Sequence, residues 1–535
     1  MSVSFRRLRN LLAPISRLPP ELLSTIFCYV QHAAANELED NIAADGLEPF
    51  DDPFKYPWVK IKDWIKITRV CHAWREVAMN TSLLWSHLYV TRCHYKWAEE
   101  CLRRSKQSSL VLLVDLSEDY KRSPRPEAVI RELRNHLRRS RVLNLCLSTR
   151  DLSDLLSQIE TPRLVNFQYV HHDYSNSPAD PRSSPPVIGD SIFQLADSLR
   201  RLSITCCPID WSASIFHRLT HLQLQEIPKK SKLKCHDFVS FLTGIPNLEV
   251  LYLRRSLRKE TLQASGLPPA EAARAPLQHL KHMDLTENGL DLAGFLSSIT
   301  IPPLCKTIVN PLPDAAPSHL TLEAFLPTLS WAYDHFHPPI PSSGPEYYQN
   351  YWRSLRLFII NGYFGVQGYV VEEKLTRDKI LFELCIWNPE DGGENVMEHI
   401  PLSLLTSLPM SHIVYLEIWA GCSVLSESMW IEFFGSIPTL KSVCIEANSL
   451  PFFRALFHDP GDSDDVPFPV LSSVMLRLVT YPDLDYHDIL KSLRWRLGLG
   501  VPLRRLRMDG CSTVPSSVMK QLKKVVAHIE IGGLH

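Results

Sequence analysis

The sequence predicts an α/β protein: a small all-α head followed by a solenoid with parallel strands on its concave face and helices and loops outside. Three observations predict it. A leucine-patterned template, L-x-x-L-x-L-x-x-(N/C), recurs through most of the chain. The segments between its copies have helical apolar spacing and end in Gly and Pro. The stretch from Ile15 to Val90 lacks the template and carries apolar residues at three- and four-residue spacing instead.

The head starts at Leu18. Pro19 and Pro20 have fixed φ and no N–H, which suits the start of a helix, where the first N–H groups lack partners anyway. Glu21 follows in the first turn, where a carboxylate meets the positive helix end. Leu22, Leu23, Ile26, Phe27 and Val30 then form one wide apolar stripe. A second helix reads WIKITRVCHAWREVAM, with Trp64, Ile67, Val70, Cys71, Trp74, Val77 and Ala78 at helical spacing. Asn80-Thr81-Ser82 ends it, and Leu83, Leu84, Trp85 and Leu88 make a short apolar return. Between the helices lies NELEDNIAADGLEPFDDPFKYPWVK, acidic and rich in Pro and Gly, which reads as a surface-loop insert at about 31–60.

These residues carry a family resemblance. Leu18-Pro19-Pro20-Glu21-Leu22-Leu23, Ile26-Phe27, Val70-Cys71-x-x-Trp74-Arg75 and Leu84-Trp85 together resemble an F-box of the kind common in large fungal families, departing from it in the length of the insert. The resemblance implies docking to a Skp1-like adaptor and through it to a cullin–RING ubiquitin ligase. It implies an adaptor-binding set of Leu18, Pro19, Glu21, Leu22, Ile26, Val70, Trp74 and Trp85. The physical account runs alongside: so small a helical module has more apolar stripe than it can bury internally. The competing reading places several of these residues, with Trp74, Phe27 and Cys71 foremost, in the module's own core.

The body follows. Leu199/Leu202/Ile204/Cys207, Leu280/Met283/Leu285/Asn288, Leu440/Val443/Ile445/Asn448 and Leu503/Leu506/Met508/Cys511 fill all four positions of the template. Weaker copies lack the last position: Val142/Leu145/Leu147, Leu164/Phe167/Tyr169, Leu219/Leu222/Leu224, Leu248/Leu251/Leu253, Leu355/Phe358/Ile360, Ile413/Leu416/Ile418 and Leu471/Val474/Leu476. Val526/Ile529/Ile531 reads as a terminal strand. The L-x-L centre has a period of two, so its side chains point inward from a short strand. The unit is strand, loop, helix, loop, and it resembles an irregular leucine-rich repeat, which buries its apolar face only by stacking on neighbours. Gaps of 75 residues from Met283 to Phe358 and 58 from Phe358 to Leu416 leave room for degenerate repeats. The expected domains are a tail 1–12, the head 13–90, a first arc 91–310, a Pro-rich interruption 311–350 and a second arc 351–535.

Composition narrows the function. A formal net charge of -1 offers no electrostatic case for nucleic acid or an anionic membrane as main partner. The basic run ending in RELRNHLRRSR reads as a solvated helix face. Thirteen scattered cysteines with no C-x-x-C read as free thiols in a reducing compartment, cytoplasm or nucleus. No apolar run approaches the length of a membrane span. Phosphate-loop, dinucleotide, zincin and serine-hydrolase motifs are absent, so the expectation is no enzyme, no cofactor and no metal. Cys71-His72 reads as helix filling, His171-His172-Asp173 as a loop, Asp462, Asp464 and Asp465 as an acidic loop, and His335 and His337 as exposed.

The expected function is the substrate-recognition subunit of a Skp1–cullin–F-box type ubiquitin ligase, with an unknown protein target held by the repeats. The alternative is a repeat scaffold outside any ligase, with the head as its cap. Candidate target contacts flank the L-x-L pairs: Thr205, Gln223, Tyr252, Asp284, Trp419, Glu446 and Arg507.

Overall fold

The structure, a computed structural model, describes residues 14–43, 64–91, 95–116, 126–156, 163–171, 187–190, 197–258, 274–302, 304–312, 352–360, 363–371, 375, 379–387, 408, 410–419, 425–446, 449–457, 466–479, 485–511 and 514–532. Most of the insert, the Pro-rich interruption, His172, Asp173, His335, His337 and the Asp462–Asp465 loop lie outside the described residues. The chain is α/β with mostly parallel strands, and divides into two compact units: Met1–Leu233 with Ser240–Leu257, and Lys234–Val239 with Arg258–His535.

The first unit opens with helical segments. An α-helix runs Pro20–Ala43, beginning at the second proline. It continues well into the stretch expected as a loop, because QHAAANELEDNIA is built of good helix formers with no Pro or Gly. The expected second helix is in fact two pieces. A 3-10 helix, Trp64–Arg69, is followed by an α-helix, His72–Asn80, and the break falls at Val70-Cys71. Cys71 does not lie on the apolar stripe; it is the extended N-cap, and its Sγ accepts from the Trp74 N–H at 3.4 Å.

Seven strands follow, each parallel to the next: β1 (His87–Thr91), β2 (Leu110–Asp115), β3 (Ser140–Leu147), β4 (Asn166–His171), β5 (Arg201–Thr205), β6 (His221–Gln225) and β7 (Val250–Arg254). Parallel neighbours require a crossover, and the helices Tyr95–Arg104, Pro126–Arg134 and Thr149–Leu156 and the 3-10 turn Ser214–Arg218 supply four of them. In β5, β6 and β7 burial alternates residue by residue. Leu202, Leu222 and Leu251 stand in one ladder row and Ile204, Leu224 and Leu253 in another, all buried; the residues between them are half-exposed. In β3 the pairing aligns Leu143 and Leu145 with Phe167 and Tyr169, so that copy sits two residues earlier than the sequence pattern places it.

In the second unit β8 (Ala275–Pro276) pairs with β10 (Ile299–Thr300). The main sheet contains β9 (His282–Thr286), β11 (Lys306–Val309), β12 (Ser354–Ile360), β13 (Tyr363–Tyr369), β14 (Ile380–Trp387), β15 (Tyr415–Trp419), β16 (Ser442–Glu446), β17 (Ser473–Arg477), β18 (Arg505–Asp509) and β19 (His528–Gly532). Their spatial order is β9-β11-β14-β13-β12-β15-β16-β17-β18-β19. All neighbours are parallel except at β13, which is antiparallel to β12 and β14. The expectation of an all-parallel array therefore fails here. Only Asn361-Gly362 separates β12 from β13, and a two-residue Asn-Gly link is a hairpin signal, which parallel strands cannot use.

The register of β12 is also corrected. Leu355 pairs with Leu416 and Leu357 with Ile418, so the template residues are Trp352, Leu355 and Leu357 rather than Leu355, Phe358 and Ile360. An odd shift reverses the faces. It brings Phe358 beside Trp419 and Arg356 beside Glu417, on the face opposite the leucines.

A backbone feature repeats that no residue pattern announces. The residue just after the strand is left-handed at Cys206 (φ 60), Glu226 (φ 52), Arg255 (φ 47), Leu478 (φ 55) and Gly510 (φ 63). The chain turns off each of these strands in the same way, and its N–H still reaches the neighbouring strand, as in Glu226 N to Arg254 O at 2.8 Å and Leu478 N to Asp509 O at 2.9 Å. The template's last position then serves backbone carbonyls. Ser256 Oγ donates to Leu224 O at 2.8 Å, and Cys511 Sγ lies 3.5 Å from Leu476 O.

Candidate docking face on the helical segment

The Pro20–Ala43 helix is only half covered on its apolar side. At about 100° per residue, Leu23, Phe27 and Gln31 span roughly 80° of the helix and Leu22, Ile26, Tyr29 and Val30 the adjoining 100° or so. The first set is buried and the second exposed. Phe27 packs on the Trp74 ring with centroids 5.1 Å apart, and Gln31 Nε2 donates to Leu84 O at 2.8 Å. These contacts fix which side faces inward. Pro19 O accepts from the N–H groups of Leu22 and Leu23, both at 3.1 Å, closing the first turn.

The residues expected to bind an adaptor therefore separate. Leu22 (51% exposed), Ile26 (41%) and Val70 (57%) are open to solvent, as are Pro19 and Glu21. Leu18 is half-buried. Trp74 is half-buried against Phe27. Trp85 is 3% exposed and belongs to the interior, so it is not on this face. Its ring meets Trp64 edge-on at 5.0 Å and Trp97 at 5.8 Å, Arg104 lies over it at 4.4 Å, and its Nε1 donates to Ala78 O at 3.0 Å. The resemblance put Trp85 in the adaptor-binding set, but Trp97 and Arg104 reach it from the Tyr95–Arg104 helix.

Exposed apolar residues extend beyond the expected set. Among the described residues fifteen large hydrophobics are exposed, and eight of them fall between Ile15 and Leu83, adding Ile15, Tyr29, Val30, Met79 and Leu83 to the three above. Scattered single exposed apolar residues need no explanation, but a concentration in one small segment does. Val30 belongs to the stripe read from the sequence and Leu83 to the apolar return; Ile15, Tyr29 and Met79 were not singled out.

No family model matches the chain, and no curated protein does.

The candidate target contacts lie on the sheet face opposite the buried leucines. Thr205, Gln223 and Tyr252 are half-exposed in the first unit, and Trp419, Glu446 and Arg507 are half-exposed in the second; Asp284 is buried. Sequence reasoning missed Glu417, Arg356 and Arg477. Glu417 is 2% exposed, and its Oε2 accepts from Arg356 Nε at 3.1 Å and Nη2 at 3.0 Å, its Oε1 from Arg477 Nη1 at 2.9 Å. Glu417 is the central residue of a Leu-x-Ile pair, which puts it on the open face; its burial under two arginines has no signal in the sequence. Burial raises the Glu446 carboxyl above its ordinary range, with Arg477 opposing. Among the described residues no group of three or more His, Cys, Asp and Glu could hold a metal, and no helix is long and apolar enough to cross a membrane.

Proposed function

We propose that this chain is the substrate-recognition subunit of a Skp1–cullin–F-box type ubiquitin ligase, with an F-box head and a leucine-rich-repeat body. The head docks on the adaptor and the open sheet face holds a protein target. The chain itself performs no chemistry; holding the target near an ubiquitin-loaded enzyme is the whole contribution, and effective concentration does the rest. One observation carries the reading: the exposed apolar arc of Leu22, Ile26, Tyr29 and Val30 beside the buried one, with Val70 also open. An interface of ordinary size buries roughly 1,200–2,000 Å² in all, enough to cover such an arc.

The test is co-purification with a Skp1-like adaptor. Leu22→Asp combined with Ile26→Asp changes two exposed residues, so the melting temperature stays at the wild-type value while adaptor recovery falls to background. Wild-type recovery by the double variant sinks the docking claim.

A second role is favoured by the packing of Trp85 on Trp97 and by Val111 N donating to Ser86 O at 3.0 Å, which join the helical segment to the first strands. In that role the segment is the cap of the sheet. Removing residues 1–86 then lowers the melting temperature sharply whether or not an adaptor binds.

A further inference from the structure

The open face of the second unit carries a hollow of about 570 Å³ over strands β12 and β15 to β18. Four arginines line it, Arg356, Arg477, Arg505 and Arg507, against two carboxylates, Glu417 and Asp509. Which of these groups still has bonding capacity decides what the hollow can take.

The acceptors are engaged. Both Glu417 oxygens are taken by Arg356 and Arg477, and both Asp509 oxygens lie within 3.0 Å of Arg507 Nε. Two of the arginines are also engaged. Arg356 is held between the Trp419 ring at 4.7 Å and the Tyr369 ring at 5.5 Å, and it donates to Glu417, Gln367, Tyr369 and Leu375. Arg505 gives Nε and Nη2 to Glu530, which lies beyond the rim.

Among the lining groups what remains is donors, with the Glu446 carboxyl near Arg477 on the adjacent strand. Arg507 uses only Nε, so its Nη1 and Nη2 meet no acceptor among the described residues. Arg477 spends Nη1 on Glu417 and sets Nη2 against Met475 Sδ at 3.7 Å, leaving Nε unused among them. Met475 pairs with Arg507 and Arg477 with Asp509, so the two guanidiniums rise from adjacent strands, on one face and two positions apart. Each side chain is partly exposed, 35% for Arg477 and 42% for Arg507. A guanidinium edge fits a carboxylate or phosphate group. Arg507 offers such an edge and Arg477 a single N–H on the neighbouring strand. Together they suit two acidic groups, and side chains two residues apart on an extended chain stand about 7 Å apart on the same side. The Trp419 ring, stacked on Arg356, supplies a rigid apolar wall beside them.

We propose that this hollow binds two acidic side chains, two residues apart on an extended segment of a protein partner. The proposal rests on the receptor reading for the identity of that segment as part of the target, and its test involves no adaptor.

The experiment is fluorescence anisotropy with the purified full chain and dye-labelled dodecapeptides carrying Glu-x-Glu, phosphoserine-x-phosphoserine or Gln-x-Gln at the centre, with labelled oligothymidylate as a polyanion control. At least one acidic peptide binds and the Gln peptide does not; the tighter of the two acidic probes tells carboxylate from phosphate. Arg477→Gln and Arg507→Gln each weaken binding about tenfold, the loss expected for one charged hydrogen-bonding group. Arg131→Gln, an exposed arginine of the first unit, leaves it unchanged. Near-UV circular dichroism checks the fold of each variant. If Arg477→Gln disturbs it through Glu417, then Arg507→Gln decides alone, since among the described residues Arg507 is bonded only to Asp509. Equal affinity for the arginine variants and the wild type overturns the proposal. So does an equal loss with Arg131→Gln, or oligothymidylate binding as tightly with the same arginine dependence. Peptide binding without adaptor recovery would retire the ligase reading and leave the hollow standing; the reverse result would do the opposite.

Discussion

Replacing Glu417 with Leu tests whether the second unit's open face is organised by one buried carboxylate. Glu417 is 2% exposed and takes three hydrogen bonds from two guanidiniums. Removing one partner of a buried ion pair costs about 3–5 kcal/mol, because the remaining charges are left uncompensated. Two features move this case toward the lower figure. Arg356 keeps its bonds to Gln367, Tyr369 and the Leu375 carbonyl. Arg477 has a side chain 35% exposed, so water takes up part of its charge. The expected loss is therefore about 3 kcal/mol, which at about 2 °C per kcal/mol for a unit of this size lowers its melting temperature by roughly 6 °C. Urea unfolding followed by far-UV circular dichroism measures it. Asp509→Asn, which loosens the more exposed contact to Arg507, costs under about 1 kcal/mol and is the control. Adding Arg356→Met to Glu417→Leu recovers part of the loss, since an apolar replacement of a buried pair is close to neutral. A loss below about 1 kcal/mol for Glu417→Leu would refute the idea that this carboxylate holds the two arginines in place.

Three further outcomes follow from particular contacts. A Cβ on Gly368 would run into the Trp352 indole, so Gly368→Ala destabilises the second unit by about 1–3 kcal/mol in chemical denaturation, and an unchanged midpoint contradicts the close packing of β13 on Trp352. Gly510 holds φ 63 where four other strands end in non-glycine residues, so Gly510→Ala costs about 1–2 kcal/mol while Leu478→Gly is close to neutral; equal effects would deny that the left-handed turn is shared. Burial, with Lys306 adding to it, holds the His282 imidazole at about 4, below its ordinary 6.5. Between those two values the unfolded chain takes up a proton that the folded chain refuses, so stability falls as pH drops from 6.5 to about 4, by at most about 1.4 kcal/mol per pH unit. His282→Gln flattens that slope in thermal melts across the range, and an unaltered slope assigns the acid sensitivity to other groups.

Periodicity carried far in this chain where one face of an element is buried and the other is not. Leu202 and Ile204, or Leu506 and Met508, are recognisable because a period of two is what a strand with one covered face requires. It carried less where an element has partners from outside its own stretch. Trp85 belongs to the set that the resemblance implies for an adaptor, yet Trp97 and Arg104 cover it. The WIKITRVCHAWREVAM run keeps helical spacing throughout, yet it breaks because Cys71 caps a new helix with its own sulfur. In β12 the apolar run LRLFII offered two alternations, and neighbour pairing chose the other one.

By itself the sequence determined the α/β class of the fold, the inward-facing residues of most strands outside β3 and β12, and an N-terminal stripe wider than one helix can bury. Those are local properties: each follows from spacing along a single element. Only the tertiary structure decided the face that Arg356 and Phe358 occupy and the meeting of Arg356 and Arg477 on Glu417. The residues of that cluster lie sixty or more positions apart and reach one point through strand register, a relation set by pairing between elements rather than by pattern within one.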